Sequence, residues 1–183
     1  MGLQLIFVVE SDSTSKTDWI YIKSTIEYFF KIGNSDYKLT PIYMGGRGNY
    51  DSKKISRSIE EKVKSYKAGG TNNTSKVIYC FDCDKYDTEP EDCEFLYKAK
   101  SYCEKNGYEF VWFCRNVEHV FLGKHVINRD KTKESSKFKS GKKYMDLNSE
   151  TFSGKVYTDK RSNLFLVLEN NLEYSKGNLH SKT

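Results

Sequence analysis

The stretch Val77-Ile78-Tyr79-Cys80-Phe81-Asp82-Cys83-Asp84 decides the fold of this chain. A continuous run of apolar, aromatic and β-branched residues is typical of a strand that is buried on both faces of a parallel sheet. Here the run stops abruptly at two carboxylates. Because ligands of open α/β sheets collect outside the carboxyl ends of the strands, the stretch predicts acidic side chains at a ligand-binding edge.

Asp82 and Asp84 are two residues apart, so on a continuing strand both side chains point to the same side. Two neighbouring carboxylates repel each other unless a cation lies between them. Hard oxygen ligands favour Mg²⁺ or Mn²⁺ over zinc, and the pattern therefore indicates a divalent-metal site. An ordinary strand end followed by an acidic turn explains the same two residues equally well.

The first strand repeats this arrangement, since the apolar run Leu3–Val9 ends at Glu10. Further along the chain, apolar residues recur at helical spacing or in short strand-like runs, and turn residues separate these segments. The predicted order of strand, helix, strand, helix, strand, helix, strand favours an α/β fold with a mainly parallel central sheet and helices on both faces. Pro41 places the second strand, Lys38–Met44, at an edge of that sheet.

Length and composition describe a single folded domain. The chain has 183 residues, 30% of them charged, and only two prolines. No apolar run reaches membrane-spanning length, so we expect a cytoplasmic protein with no membrane contact. The odd number of cysteines, five, suits a reducing compartment. Cys80 and Cys83 form an isolated C-x-x-C, which disfavours a zinc or redox role for that pair.

The positive charge of the chain is concentrated in one segment. Residues 124–143 hold eight basic and two acidic side chains, a charge of +6, whereas the whole chain carries +5. We expect a lysine-rich loop or insertion at 126–160 between an α/β core at 1–125 and a C-terminal helix and tail at 161–183. Such a segment is a natural contact for a nucleic-acid backbone, although a solvated loop has the same composition. The candidate contacts are Lys124, Arg129, Lys131, Lys133, Lys137, Lys139, Lys142 and Lys143.

A glycine-rich turn, Gly45-Gly46-Arg47-Gly48-Asn49, follows the second predicted strand. Backbone N–H groups of such a turn, together with the guanidinium of Arg47, are able to hold a phosphate. The turn matches neither the P-loop pattern nor the dinucleotide-binding pattern, so a plain flexible loop is the simpler explanation.

A glutamate after the first strand and Asp-x-Asp after a later strand resemble the Toprim domain of topoisomerases, primases and OLD-type nucleases. The nearest resemblance is to the standalone RloB-like proteins. Thr17-Asp18-Trp19-Ile20-Tyr21 is similar to the Thr-Glu pair and aromatic helix of that group, and Asn116 and Glu118 are similar to its later Asn and Glu. The resemblance spans about residues 3–125 and rests on the order of short motifs. Ser11 stands where the family usually has glycine.

The resemblance implies a single Rossmann-like Toprim domain in which Glu10, Asp82 and Asp84 act as catalytic residues around Mg²⁺ or Mn²⁺. Asp18 or Glu118 would complete a second metal site, so both are candidate metal ligands. The implied activity is phosphodiester hydrolysis of DNA or RNA, with the basic side chains on the backbone. RloB-like proteins are associated with restriction and phage-defence loci, which implies a defence nuclease. The chain has no ATPase signature, so an energy-dependent step would need a separate ATPase protein.

Two other functions stay open. A degenerate Toprim domain or plain α/β module would bind nucleic acid or a protein partner and cleave nothing. Asp-x-Asp after a strand also suits an aspartyl phosphotransferase with Asp82 as nucleophile. That motif normally lies on the first strand of its core, whereas another acid-tipped strand precedes it here, which disfavours the phosphotransferase.

Overall fold

The computed structural model describes residues 2–32 and 37–174 of the chain. Within these residues the strands form one all-parallel sheet. The strands are β1 (Leu3–Val9), β2 (Tyr37–Tyr43), β3 (Thr74–Asp82) and β4 (Glu109–Phe113). They lie in the order β2-β1-β3-β4, so the two acid-tipped strands are neighbours at the centre.

Helices cover both faces of this sheet. The α-helices are α1 (Thr17–Phe29), α2 (Lys53–Ala68), α3 (Pro90–Asn106), α4 (Val117–Leu122), α5 (Lys131–Ser140) and α6 (Leu164–Glu169). Apolar residues of α1, α4, α5 and α6 belong to the core on one face, and those of α2 and α3 belong to the core on the other. The predicted α/β fold, with a parallel sheet between two helical layers, is confirmed.

The central strand β1 shows why its sequence is apolar without interruption. Leu5, Phe7 and Val9 point into the core beneath α1, whereas Ile6 and Val8 point into the core beneath α2. All five side chains are fully buried. Burial of one such side chain stabilises the fold by roughly 1.5–3 kcal/mol, so both faces of the strand need apolar residues.

Pro41 lies on the outer strand β2, as its lack of an N–H predicts. Met44, directly after β2, donates its N–H to the carbonyl of Val9 at 2.8 Å. In β2, the residues at even-numbered positions therefore point their backbone N–H groups towards β1. Pro41 is in the other set, and its nitrogen faces the open side of the sheet. The missing donor therefore removes no hydrogen bond from the ladder.

A polar cluster crosses three strands at the amino end of the sheet. The amide nitrogen of Gln4 donates to Oγ1 of Thr40 at 2.8 Å, and Oγ of Ser75 donates to Oε1 of Gln4 at 3.0 Å. Gln4 is only 1% exposed, so its amide depends on these two partners. The cluster fixes the register of β1 against both of its neighbours.

The basic segment, for which a loop or an insertion at 126–160 was predicted, contains a helix at residues 131–140. Helix α5 buries Ser135 and Phe138 completely. The Phe138 ring lies 4.8 Å from the ring of Tyr21 on α1, measured between centroids. Because Phe138 is the single large apolar side chain of α5, the sequence shows no helical periodicity. Short 3₁₀ turns lie at Asn128–Asp130, Lys143–Asp146 and Ser149–Phe152.

The C-terminal helix α6 packs on the core as predicted, and Leu164, Val167, Leu168 and Leu172 are buried. It is shorter than the apolar spacing suggests and ends at Glu169. The predicted tail from residue 175 lies outside the described residues. No helix in the described ranges is both long and apolar enough to span a membrane.

Candidate functional site

Glu10 and Asp82 lie at the point where the strand order reverses, because the connections after β1 and β3 lead to opposite edges of the sheet. Helix α1 leads from β1 to the outer strand β2, whereas α3 leads from β3 to the opposite outer strand, β4. The carboxyl ends of two such strands form the crevice in which open α/β sheets bind ligands. Glu10 directly follows β1, and Asp82 is the last residue of β3. The two strands therefore deliver both carboxylates to this crevice.

Two backbone hydrogen bonds hold these carboxylates. The N–H of Asp82 donates to Oε1 of Glu10 at 2.9 Å. The N–H of Val117, the first residue of α4, donates to Oδ1 of Asp82, also at 2.9 Å. Each bond uses one carboxylate oxygen, which leaves the second oxygen of each side chain for another ligand.

Asp18 joins the pair from the first turn of α1. Its Oδ2 accepts the N–H of Ser11 at 2.8 Å, and its Oδ1 accepts the hydroxyl of Thr17 at 3.2 Å. The side chain is 8% exposed, and its negative charge raises the pKa of both Glu10 and Asp82. The structure thus brings the acid of the Thr-Asp motif next to both strand-end acids.

Glu118 on α4 forms a buried ion pair with Lys131 on α5. Nζ of Lys131 lies 3.1 Å from Oε2 of Glu118, and the Glu118 side chain is only 1% exposed. No other residue in the described part of the chain donates a hydrogen bond to either oxygen of Glu118. Burial lowers the pKa of Lys131, but the charges of Glu118 and Asp82 outweigh burial and leave that pKa raised. Lys131 is therefore a charged member of the acidic site.

Burial and mutual repulsion raise the pKa values of three of these acids above their ordinary values. Burial, with repulsion from Asp18, raises the pKa of Glu10 to about 8. Burial, followed by repulsion from Glu10 and Asp18, raises the pKa of Asp82 well above its usual range. Burial also raises the pKa of Glu118, although Lys131 opposes it. A further cation at this place would relieve both the repulsion and the cost of burial.

Asp84 has a different partner because β3 ends at Asp82 and the spacing argument for a continuing strand does not apply. Asp84 has a positive φ of 46°, which an Asp tolerates better than most residues. Arg47 donates to Oδ2 of Asp84 at 2.7 Å and to Oδ1 of Asp92 at 2.5 Å. The guanidinium carbon also lies 4.6 Å from the ring centre of Phe95. The predicted phosphate contact Arg47 is thus bound to two acids.

Asp92 is a residue of this site that the sequence did not single out. Asp92 lies in the first turn of α3, where an acidic side chain is common because its negative charge interacts favourably with the helix dipole. Besides Arg47, its carboxylate accepts the N–H of Lys85 at 3.0 Å. Burial raises its pKa, but the hydrogen bonds and the charge of Arg47 dominate and lower it.

The residues present fit a hard divalent cation by their chemistry. Glu10, Asp18, Asp82 and Glu118 offer only oxygen ligands, and two of these carboxylates each have one oxygen outside the backbone hydrogen bonds. In ranges 2–32 and 37–174, no three His, Cys, Asp or Glu side chains already stand in a metal-holding arrangement. Small side-chain rotations would accordingly have to accompany binding of a cation.

The predicted nucleic-acid contacts divide between the site and the surface. Lys131 faces the acids, and Lys124 and Lys137 lie 2.6 Å and 3.3 Å from the carboxylate of Glu134. The other predicted contacts are exposed to solvent and form no ion pair with Glu134; they are Arg129, Lys133, Lys139, Lys142 and Lys143. This exposed set is called the basic surface below.

A cleft of about 510 Å³ opens beside Asp84. It is lined by four acids, Asp84, Glu89, Glu91 and Asp92, and by Lys85, Arg115, Asn116 and His125. Arg115 is held by the carboxylate of Asp87, with nitrogen–oxygen distances of 3.3 and 3.1 Å. The cleft therefore places positive and hydrogen-bonding groups within the same opening as a strand-end acid.

Comparison of the chain with protein-family models, curated proteins and solved structures found no match.

Proposed function

We propose that this protein is a Toprim-type, divalent-metal-dependent nuclease that hydrolyses phosphodiester bonds of DNA or RNA. The observation that carries the proposal is the group of carboxylates at the central crevice. Asp18, Asp82 and Glu118 lie near the charge of Lys131, and Glu10 accepts the N–H of Asp82 beside them. An acid cluster at this position has an ordinary chemical use, since a divalent cation held there neutralises phosphate oxygens. The order of the acid-tipped strands supports the Toprim assignment.

The chain's own residues suggest a division of labour. Glu10 and Asp82 would hold the cation, with Asp18 and Glu118 close enough to ligate it or to take a second one. When bound, Mg²⁺ or Mn²⁺ supplies Lewis-acid stabilisation of charge on the phosphate and lowers the pKa of a water molecule. Glu10 is also the candidate general acid or base. Burial raises its pKa to about 8 in the metal-free protein, and a bound cation would lower that pKa.

Substrate binding is assigned to the basic surface and to the cleft. The exposed lysines would contact phosphates without reading the base sequence, so binding should weaken steeply as salt is added. Arg47 is the residue most able to change partners, because a phosphate entering the cleft competes with Asp84 for its guanidinium. Release of Asp84 would add another carboxylate to the site.

The test is a paired measurement of metal binding and cleavage. Mg²⁺ and Mn²⁺ are titrated calorimetrically into wild type and Asp82→Asn, and both proteins are incubated with labelled single- and double-stranded DNA and RNA. Asparagine keeps an oxygen for the N–H of Val117 but removes the charge, so we expect binding and cleavage to fall together. Glu61→Gln on α2 is the matched control, because Glu61 is exposed and lies outside the acid cluster. Metal-dependent cleavage that survives in Asp82→Asn contradicts the proposal.

One observation favours a non-catalytic module as the second candidate. Lys131 and Arg47 already place two positive charges among the acids, and in such a module they would be permanent structural partners. Nucleic-acid binding that is sensitive to salt, with no cleavage of any substrate under any metal, would support this candidate. A phosphate covalently attached to Asp82 would instead identify an aspartyl phosphotransferase. A defence role and an ATPase partner follow from the family resemblance alone.

A further inference from the structure

Two cysteines meet beside the acidic crevice. Sγ of Cys83 and Sγ of Cys114 lie 3.0 Å apart, and both side chains are fully buried. Cys83 lies between Asp82 and Asp84, and Cys114 directly follows β4. The pair was not apparent from the sequence, in which the nearest cysteine to Cys83 is Cys80.

The backbone places these two cysteines directly opposite each other. The register that pairs Asp82 with Phe113 continues by one residue, since the N–H of Cys83 donates to the carbonyl of Phe113 at 2.9 Å. Both side chains belong to the core beneath α2 and α3, whereas Cys80 belongs to the core on the other face. The C-x-x-C pair is therefore split across the sheet, and the facing pair is Cys83 with Cys114.

The geometry already approaches that of a disulfide. Neighbouring strands lie about 4.7–4.9 Å apart, and disulfides bridge Cα atoms that are roughly 4.4–6.8 Å apart. The sulfur atoms need to approach by only about 1 Å to reach the S–S bond length of about 2.05 Å. Because both thiols are free and lie on the same face, no change of strand register is needed.

We propose that Cys83 and Cys114 are a dithiol pair that a peroxide oxidises to an intramolecular disulfide. One thiol loses its proton and attacks the peroxide, whose O–O bond breaks, giving a sulfenic acid and one water molecule. The second thiol then attacks the sulfenic sulfur, so that the S–S bond forms and a second water molecule leaves. The two sulfurs lose two electrons and two protons in total, and hydrogen peroxide accepts them.

Two tyrosines limit access to this pair. The hydroxyl of Tyr86 donates to the carbonyl of Tyr157 at 3.0 Å, and the two rings are 5.2 Å apart. Both tyrosines pack against the core that contains Cys83 and Cys114, and the N–H of Tyr86 donates to the carbonyl of Cys83 at 3.0 Å. Because both thiols are fully buried, the pair should react more slowly than the exposed Cys93.

The bridge would join the two connections that carry the acids. Cys83 is the middle residue of Asp-x-Asp, and Cys114 lies a few residues before Glu118. Oxidation would fix the end of β3 to the end of β4, and so restrict Asp82, Asp84 and the start of α4. This inference stands on the cysteine geometry and does not depend on the proposed nuclease activity.

Peptide mapping of the peroxide-treated native protein tests the proposal. The protein is treated with hydrogen peroxide, denatured in the presence of an alkylating reagent so that every remaining free thiol is blocked, and digested with trypsin without reduction. Cleavage after lysine and arginine places Cys83 in peptide 77–85, together with Cys80, and Cys114 in peptide 106–115. We expect these two peptides to be linked, with a mass two hydrogen atoms below their sum, and fragmentation to assign the bridge to Cys83. The link should disappear after reduction.

Variants separate the two cysteines of the shared peptide. The link should be lost in Cys83→Ser and kept in Cys80→Ser, a matched control because Cys80 is also buried and lies in the same peptide. The proposal would be overturned if both cysteines of the pair were still free after Cys93 had been consumed. A bridge from peptide 106–115 to Cys80, Cys93 or Cys103 would also overturn it. Fragmentation of the wild-type peptide gives the answer even if a variant does not fold.

Discussion

Ionisation of Glu10 should destabilise the metal-free protein. The unfolded chain has an ordinary Glu pKa of 4.5, whereas burial raises the pKa to about 8 in the folded state. The folded protein therefore holds this proton to a higher pH than the unfolded chain does. The contribution of Glu10 to the free energy of unfolding is greatest below about pH 4.5, and it falls as the pH rises towards about 8.

The size of the effect follows from the raised pKa. At about 1.4 kcal/mol for each unit of pKa, the difference between 4.5 and about 8 costs roughly 5 kcal/mol once Glu10 is ionised. Water entry and side-chain movement reduce the penalty of a buried charge, so we expect a measured loss of about 2–4 kcal/mol. Asp82 repels Glu10 and titrates with it, so the loss belongs to the pair.

Urea unfolding in the presence of a chelator, from about pH 5 to about pH 9, measures this loss. Glu10→Gln keeps an oxygen that accepts the N–H of Asp82 but cannot ionise. We expect this variant to match wild type at the acidic end and to be more stable than wild type at the alkaline end. Exposed Glu61→Gln, the control, should follow the wild-type curve. A Glu10→Gln curve that falls as steeply as wild type would refute the reasoning.

Three further variants test other parts of the structure. Lys131→Met leaves the Glu118 carboxylate buried without its partner. Because burial raises the pKa of Glu118, urea unfolding near pH 8 should show a loss of about 3 kcal/mol that shrinks as the pH falls. Phe138→Ala removes a fully buried ring from α5 and should cost about 3–5 kcal/mol in the same assay. Replacing three exposed lysines with alanine should make the slope of log affinity for DNA against log salt less steep by up to about 3, as measured by fluorescence anisotropy. These lysines are Lys133, Lys139 and Lys142.

Matched variants give each result its reference. Lys133→Met changes an exposed lysine of the same helix and should alter stability by less than about 0.5 kcal/mol. Tyr97→Ala removes a ring that is 76% exposed, so its cost should be similarly small. A triple alanine variant on α2 should leave the salt dependence unchanged if the basic surface makes the contacts. It combines Lys62, Lys64 and Lys67. An equal effect of both triple variants would show non-specific attraction to the whole protein.

The centre of the sheet was predictable because its two central strands, β1 and β3, contain apolar runs that stop at acids. Leu3–Val9 is predicted with its observed bounds, and the second strand, Tyr37–Tyr43, lies one residue from its predicted range. Placing acids at the carboxyl edge follows from the parallel order, and the structure puts Glu10 and Asp82 there. The local sequence carries this information because the apolar residues of a strand indicate by themselves that the strand is buried.

Contacts between distant elements were not predictable in the same way. Lys131 looks like its lysine neighbours in the sequence, and only the packing of α5 on α1 turns it towards Glu118. Arg47 was proposed for phosphate, but its carboxylate partners depend on where α3 begins. The approach of Cys83 to Cys114 depends on the register of two strands, which no local pattern encodes.

The polar cluster around Gln4 has a consequence for how the chain reaches a unique native state. A shift of β1 by one residue against its neighbours would move every side chain to the opposite face. Gln4 would then lose Thr40 and Ser75, and its buried amide would lack partners at a cost of roughly 1–3 kcal/mol. A strand pairing that misaligns Glu10 and Asp82 thus also breaks the hydrogen bonds of Gln4 at the opposite end of the sheet. The hydrogen bonds that favour the native register therefore also favour the correct alignment of the two acids.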